Sequence, residues 1–375
     1  MKIYLSYYSV PLWFGFIQAW IYAILLWNRA RLNNRLSDFL LGLVLVGMAF
    51  NIWEYMLGFS GIEILWRQLN FFPRTFGYAF APLCYFYFKS QVDKDFRFSK
   101  QDIWYFLPFI IHTIYHVGVF SGGQDFVKTV EKNFHGPFFI PQIETFIEIV
   151  LDIFYFYKSI KLYREYRAWT TTQFSNTDVV SFKWFRNFLI VLGLIFITNY
   201  LMLIIDSYKD LDFEQDWWDK LFRAALIYYV SITGYAQAQP NTGLVFKEEE
   251  HKSGNIQKEK FSEGELETWK TKILKLMIDE KLYLQPELNL SDIANRLKTN
   301  ISVLSGVVNY AFGKNFNDFV NEYRVKEFQE RIQLPENKNI TLLGIAFDCG
   351  FNSKATFNRS FKKFTGKAPK EFLEV

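Results

Sequence analysis

The sequence predicts an all-α protein in two unlike parts: a seven-helix transmembrane bundle followed by a tandem helix-turn-helix domain. Three observations predict it. Half of the 375 residues are hydrophobic and a fifth are aromatic, with 42 Phe, 22 Tyr and 11 Trp, a composition that argues against an all-soluble chain. Residues 1–240 hold the long apolar runs while 241–375 have soluble composition, so a mean hydropathy of +0.01 averages two different segments. In the last third, short stretches with helical apolar spacing alternate with tight polar turns, and the pattern occurs twice.

A helix needs about 20 apolar residues to cross a bilayer. Seven stretches reach that length, at roughly 9–27, 38–59, 69–89, 102–120, 138–158, 184–206 and 217–237. Buried soluble helices are the bland alternative, but seven of them within 240 residues would need a very large soluble core. The first run reads as a retained helix: only Lys2 precedes it as a basic start, and Arg29, Arg31 and Arg35 follow it like a stop-transfer flank.

Loop charges set the orientation. The 28–37, 89–101 and 158–183 loops are basic, through residues such as Arg31, Arg97, Lys100, Arg164 and Arg167. The alternate loops are poorer in lysine and arginine, and 206–220 is acidic, with Asp206, Asp210, Asp212, Glu214, Asp216 and Asp219. Seven spans then place the N-terminus outside and the C-terminal segment in the cytoplasm, as a multi-pass protein of a bacterial inner membrane with the lipid bilayer as partner. The net charge of +4 is mild, so its placement matters more than its size. Cys84 and Cys349 fall in different segments and make no disulfide framework.

Ionisable residues inside spans are costly and usually face the bundle interior. Glu54, Arg74, His112, His116, Glu144 and Glu148 all fall toward the outer half of their spans. His112 and His116 share one helix face, as do Glu144, Glu148 and Asp152. A polar pocket open to the outside, for an unknown small ligand, is one reading of this group. An internal salt-bridge network holding helices together is the other, and for any single residue it is the stronger. No metal is expected from the two histidines, because the nearest carboxylates lie on another helix.

Three domains follow: a transmembrane sensor segment over 1–240, a charged linker over 241–262, and a helical domain over 263–375. Lys247–Gly264 is polar and nearly free of apolar residues, as expected of a solvated tether. Leu266, Trp269, Ile273, Leu274 and Met277 then mark a supporting helix. Ser291 is the expected N-cap of the next helix, Asp292–Leu297, with a turn at Lys298–Asn300 and a second helix from Ile301 to about Phe312. A connector begins near Phe316 and runs through Phe319, Tyr323 and Phe328. The motif repeats through Ile345-Ala346, a turn at Gly350-Phe351, and a helix over Ser353–Phe364. Gly350 suits the left-handed backbone of a tight corner. On the last helix Phe357, Phe361 and Phe364 make one buried stripe, leaving Ala355, Asn358, Arg359, Lys362 and Lys363 outward with Lys354 on the flank. Phe351–Lys370 contains six basic residues and no acid, the local footprint of phosphate contact.

These residues resemble the C-terminal DNA-binding domain of AraC/XylS-type transcription regulators over about 100 residues. The second motif carries the resemblance best: Ile345-Ala346-x-x-x-Gly350-Phe351, then Phe357-x-Arg359-x-Phe361-Lys362-Lys363 and Gly366-x-x-Pro369. The first matches through Ile293-Ala294, Leu304-Ser305, Gly313-x-x-Phe316 and Tyr323-Arg324. The resemblance implies double-stranded DNA as partner, with two recognition helices on one rigid arm entering successive major grooves. The DNA-facing positions it implies are Ser302, Ser305 and Gly306 on the first helix, and Lys354, Ala355, Asn358 and Arg359 on the second. Gly306 departs from the long polar or basic residue usual there. The membrane half is similar to seven-span sensor segments joined to this domain in some bacterial regulators, through Ala81-Pro82-Leu83-x-Tyr85-Phe86-Tyr87-x-Lys89-Ser90 and Gly234-Tyr235.

The function expected is a membrane-bound, sequence-specific transcription regulator coupling an outside signal to promoter binding. A transporter-like membrane protein with a regulatory DNA-binding tail is the alternative, but no internal repeat divides the seven spans. No nucleophile–base motif, Gly-rich phosphate loop or metal signature is present, so neither enzyme activity nor a cofactor is expected. The sequence leaves a homodimer open.

Overall fold

The computed structural model describes residues 4–62, 70–72, 76–93, 95–176, 183–209, 211–237, 246 and 262–373. These residues are helical, with short turns and no strand among them; Phe174 and Asn289 form an isolated antiparallel bridge. The chain divides into two compact units, 1–163 with 183–239, and 164–182 with 240–375. Residues 164–182, expected in a loop of the membrane segment, therefore group with the C-terminal unit.

The first unit contains α1 (Ser9–Asn33), α2 (Leu36–Phe50), α3 (Trp53–Gly58), α4 (Gly77–Val92), α5 (Leu107–Ser121), α6 (Gln124–Val130), most of α7 (Ile140–Gln173), α8 (Lys183–Lys209) and α9 (Trp217–Ala236). Each expected span meets helix, but among the described residues three helical segments are long and apolar enough to cross a membrane: Ser9–Asn33, Lys100–Ser121 and Lys183–Lys209. The 38–59 stretch is interrupted, since α2 ends at Phe50 and the amides of Asn51 and Ile52 bond three residues back, to Met48 and Ala49. That tightened turn restarts the chain as α3. The 102–120 stretch opens with a 3-10 turn over Lys100–Phe106 under a Ser99–Asp102 capping box before α5 begins. The 138–158 stretch is longer than expected, because Tyr155, Ser159, Leu162, Tyr166 and Thr170 continue one buried face at helical spacing.

Small residues let these helices approach. A Cβ on Gly15 would stand 2.9 Å from that of Ala224, so α1 and α9 are in backbone contact there. At the α1–α2 corner the Arg29 guanidinium donates twice to Asp38 (2.8 and 2.9 Å) and once to the Tyr235 carbonyl near the C-terminus of α9 (2.6 Å). A cation at a helix C-terminus is favoured by the macrodipole.

In the second unit, α10 (Glu263–Ile278) is followed by α11 (Leu290–Leu297), α12 (Ile301–Phe312), α13 (Phe316–Arg331), α14 (Leu342–Asp348), α15 (Lys354–Thr365) and α16 (Pro369–Leu373). Two apolar cores form. Ile273, Met277, Ile293, Leu304 and Val307 belong to the first, and Ile345, Ala346, Phe351, Phe357 and Phe361 to the second. Helix α13 contributes to both: Phe316, Phe319 and Val320 enter the first, Val325 and Phe328 the second. It is the connector the sequence predicts. Of the expected tether, residues 247–261 lie outside the described residues, and the rest already belongs to α10 with its Ser262–Glu265 capping box.

Candidate nucleic-acid interface and buried polar site

Each helix-turn-helix starts from an N-cap. In the first motif Asn289 caps α11 by accepting the Asp292 amide, with the Asp292 carboxylate returning the bond. Ser291 therefore lies inside the helix rather than capping it; the longer Asn side chain two residues earlier takes that role. Asn300 caps α12 through the Val303 amide at 2.8 Å. On α12 Ser302 is exposed and Ser305 half-buried, while Gly306 is buried beside Leu304, Val307 and Val308. Gly306 thus presents no outward side chain or surface. Tyr310, 56% exposed, is the large outward group of this helix.

In the second motif Ser353 caps α15 and Gly350 makes the corner with φ of 90°. A Cβ at Gly350 would stand 2.5 Å from the Tyr283 carbonyl oxygen, so glycine is required by conformation and by space. Lys354, Ala355, Asn358, Arg359, Lys362 and Lys363 are all exposed on α15, opposite buried Phe357 and Phe361. Lys363 also pairs with Asp318 of α13 at 2.6 Å. The outward face is cationic and polar, with the reach and donors for phosphates and base edges.

Behind this face lies a buried polar joint that sequence periodicity did not reveal. Arg324 of α13 is 1% exposed. Its Nε donates to the Tyr283 carbonyl (2.7 Å), and its Nη2 to the Gln285 carbonyl (2.7 Å) and the Ser175 hydroxyl (3.1 Å). Burial pushes its pKa down to about 9. Nearby, burial opposes ionisation of Glu327, but hydrogen bonds from Tyr283, Arg331 and Lys281 outweigh it and hold the carboxyl at about 2. Cys349 is a free thiol that burial pushes up to about 12, an inert core group. Arg324 stands within the Tyr323-Arg324 pair of the first motif, which was the available signal. Ser175 had none.

Five of the six candidate pocket residues of the first unit lie among the described residues. Arg74 lies outside the described residues. Glu54 is on the short helix α3. Glu148 lines a cavity of about 180 Å³ with Asp152, Asn199 and Arg223 among aromatic residues including Phe50, Phe76 and Phe196. Arg223 is anchored by Asp219 at 2.7 Å and donates to Asn199 at 3.2 Å. Sequence reading missed Arg223 and Asn199, which hydropathy alone places in an ordinary span. His112, His116 and Glu144 come together separately, with the Glu144 Oε1 3.4 Å from His116 Nε2 and 3.8 Å from His112 Nε2. The carboxylate assigned to another helix is thus brought to the histidine pair by the fold.

The C-terminal fold is that of a helix-turn-helix domain, and residues 293–374 match the family model described as a helix-turn-helix domain. A stretch of 92 residues is 29% identical to an uncharacterized HTH-type transcriptional regulator of Staphylococcus aureus (strain COL). It covers 24% of this chain and 12% of that protein, so the likeness concerns one domain of each. No solved structure matches the chain.

Proposed function

We propose that the protein is a membrane-bound, sequence-specific DNA-binding transcription regulator. The observation that carries DNA binding is the outward face of α15, where Arg359, Lys362 and Lys363 stand exposed beside Asn358 and Lys354 in a matched helix-turn-helix domain. The name of the similar Staphylococcus protein as a transcriptional regulator supports the same reading. Selection from a random duplex library by the full-length protein in nanodiscs tests it. A site with specified positions spread over about two helical turns, one per recognition helix, is expected. Recovery of no enriched sequence would overturn the proposal.

Membrane residence is supported by apolar side chains turned outward. Phe14, Ile17, Ile21 and Ile24 of α1 are 46–60% exposed, while Leu12, Ala19, Ala23 and Leu26 are buried. On α8, Ile190, Leu194, Ile197, Leu201 and Ile204 repeat the pattern. Helices that expose such faces are inverted relative to soluble ones, and lipid is the solvent that suits them. The proposed orientation has the N-terminus outside and the helix-turn-helix domain in the cytoplasm.

Coupling between a stimulus and DNA is proposed to run through α7 and the residues after it. Ser175 accepts Asn317 Nδ2 on its carbonyl at 2.7 Å, while its amide and hydroxyl both donate to the Leu288 carbonyl, at 3.0 and 2.6 Å. Leu288 directly precedes the capped start of α11. A shift of the α7 end would therefore act on the first helix-turn-helix and, through Arg324, on the connector.

A further inference from the structure

We propose that His112, His116 and Glu144 form a binding site for a divalent transition-metal ion of the zinc type, an inference that rests on the sensor reading above and names what the sensor takes. Both imidazoles converge on one carboxylate oxygen. Glu144 Oε1 lies 3.4 Å from His116 Nε2 and 3.8 Å from His112 Nε2, the imidazole rings are 4.0 Å apart, and the three ligand atoms lie within 4.8 Å of one another. One long hydrogen bond joins His116 to Glu144 at 3.4 Å, and at 3.8 Å His112 is too far to make a second, so hydrogen bonding accounts for only one of the two imidazoles. A tetrahedral zinc ion with bonds of about 2.0–2.1 Å holds neighbouring ligand atoms about 3.3 Å apart. The two nitrogen–oxygen separations, 3.4 and 3.8 Å, exceed that spacing by about 0.1 and about 0.5 Å.

The surroundings fit a ligand site. The three side chains are 17–25% exposed, so the group is reachable and a fourth coordination position stays open. The Tyr78 ring lies 4.7 Å from that of His112, and its hydroxyl donates to the Glu144 carbonyl, fixing the helices that carry two of the ligands. A second observation points the same way. His135 is 9% exposed, its Nε2 is buried with no hydrogen-bond partner among the described residues, and its ring stands 4.5 Å from the Phe71 ring, which also lies 5.1 Å from His116. Three of the four histidines of the chain are gathered at this one place. Two nitrogens and one carboxylate oxygen match zinc and its first-row neighbours. Calcium and magnesium prefer all-oxygen sites, and copper(I) prefers sulfur.

The test uses chelator-stripped full-length protein in nanodiscs, titrated with Zn²⁺ by calorimetry and with Co²⁺ by visible absorption. One ion per chain and the intense visible bands of four-coordinate Co²⁺ are expected. Glu144→Gln and His116→Ala should each weaken Zn²⁺ binding at least about tenfold, and His251→Ala should leave it unchanged. Absence of stoichiometric binding, or parent-level affinity in the Glu144 and His116 variants, would overturn the site. Should a variant lose helical content, zinc protection of His112 and His116 from diethylpyrocarbonate decides: protection upholds the site and equal labelling overturns it. A promoter assay separates this proposal from the sensor reading. Zinc bound at the triad with promoter occupancy unchanged leaves the site standing and overturns its sensing role.

Discussion

Arg359 is exposed near the middle of α15, and its only protein bond among the described residues is a long one to Thr356 Oγ1 at 3.4 Å. It is therefore available to a base edge. Arg359→Ala should weaken binding to the selected site by about 1–3 kcal/mol and relax preference at one base pair. Lys362→Ala should weaken binding evenly across sequences and reduce the salt slope by about one; quantitative footprinting at several salt concentrations distinguishes the two effects. Glu327 makes a prediction about acid stability. Its carboxyl is held at about 2 against an ordinary value of 4.5, so the ionised form stabilises the fold. That contribution is complete above about pH 4.5 and is lost as the pH falls from there toward 2. Glu327→Gln should flatten the acid side of the stability curve in this window, and an unchanged curve in denaturant titrations would contradict the role. The outward α15 residues were legible because a buried stripe fixes which residues face out, whereas Ser302 and Ser305 came only from the family resemblance. Gly306 was not legible, since a residue without a side chain leaves no polarity by which to assign its face.

At the scale of elements, α7 and α13 organise the second unit. Helix α13 carries side chains into both cores, so α12 and α15 both pack on one element. The Ser175 hydroxyl donates to the Leu288 carbonyl and accepts from Arg324. Ser175→Ala removes both bonds and leaves a buried guanidinium short of one partner. It should lower the stability of the C-terminal unit by about 1–3 kcal/mol, read as a lower urea midpoint for the loss of its protection from proteolysis. A midpoint equal to that of the parent protein would show that the 174–176 segment does not brace the domain. Helix existence was readable from apolar spacing, and the second motif from its Gly-Phe corner. The extension of α7 to Gln173 was not, because Lys158–Arg167 reads as a basic loop until Leu162 and Tyr166 are seen to share a buried face. The meeting of Glu144 with the histidine pair was equally hidden, since it depends on which helices are neighbours.

For the whole molecule, the proposed function joins a DNA reader to a lipid-embedded segment in one chain, with no separate carrier of the signal between them. The sequence shows this joint as a change of composition near residue 240; one boundary between the units falls there, at 239/240, and two more, inside α7 and at 182/183, assign residues 164–182 to the second unit. Reporter fusions after Lys100 and Gly254 should register the cytoplasm, and one at Gly122 the outside; the reverse pattern would put the helix-turn-helix domain where no DNA is. The central claim is that the same molecule holds membrane and promoter at once. Cross-linking intact cells, washing the membranes with alkali and sequencing the DNA retained on the tagged protein measures this directly. A discrete set of sites recovered from the washed membrane fraction, and lost with Arg359→Ala, is the predicted result. Release of the protein by the alkaline wash, or retention of DNA without enriched sites, would contradict it.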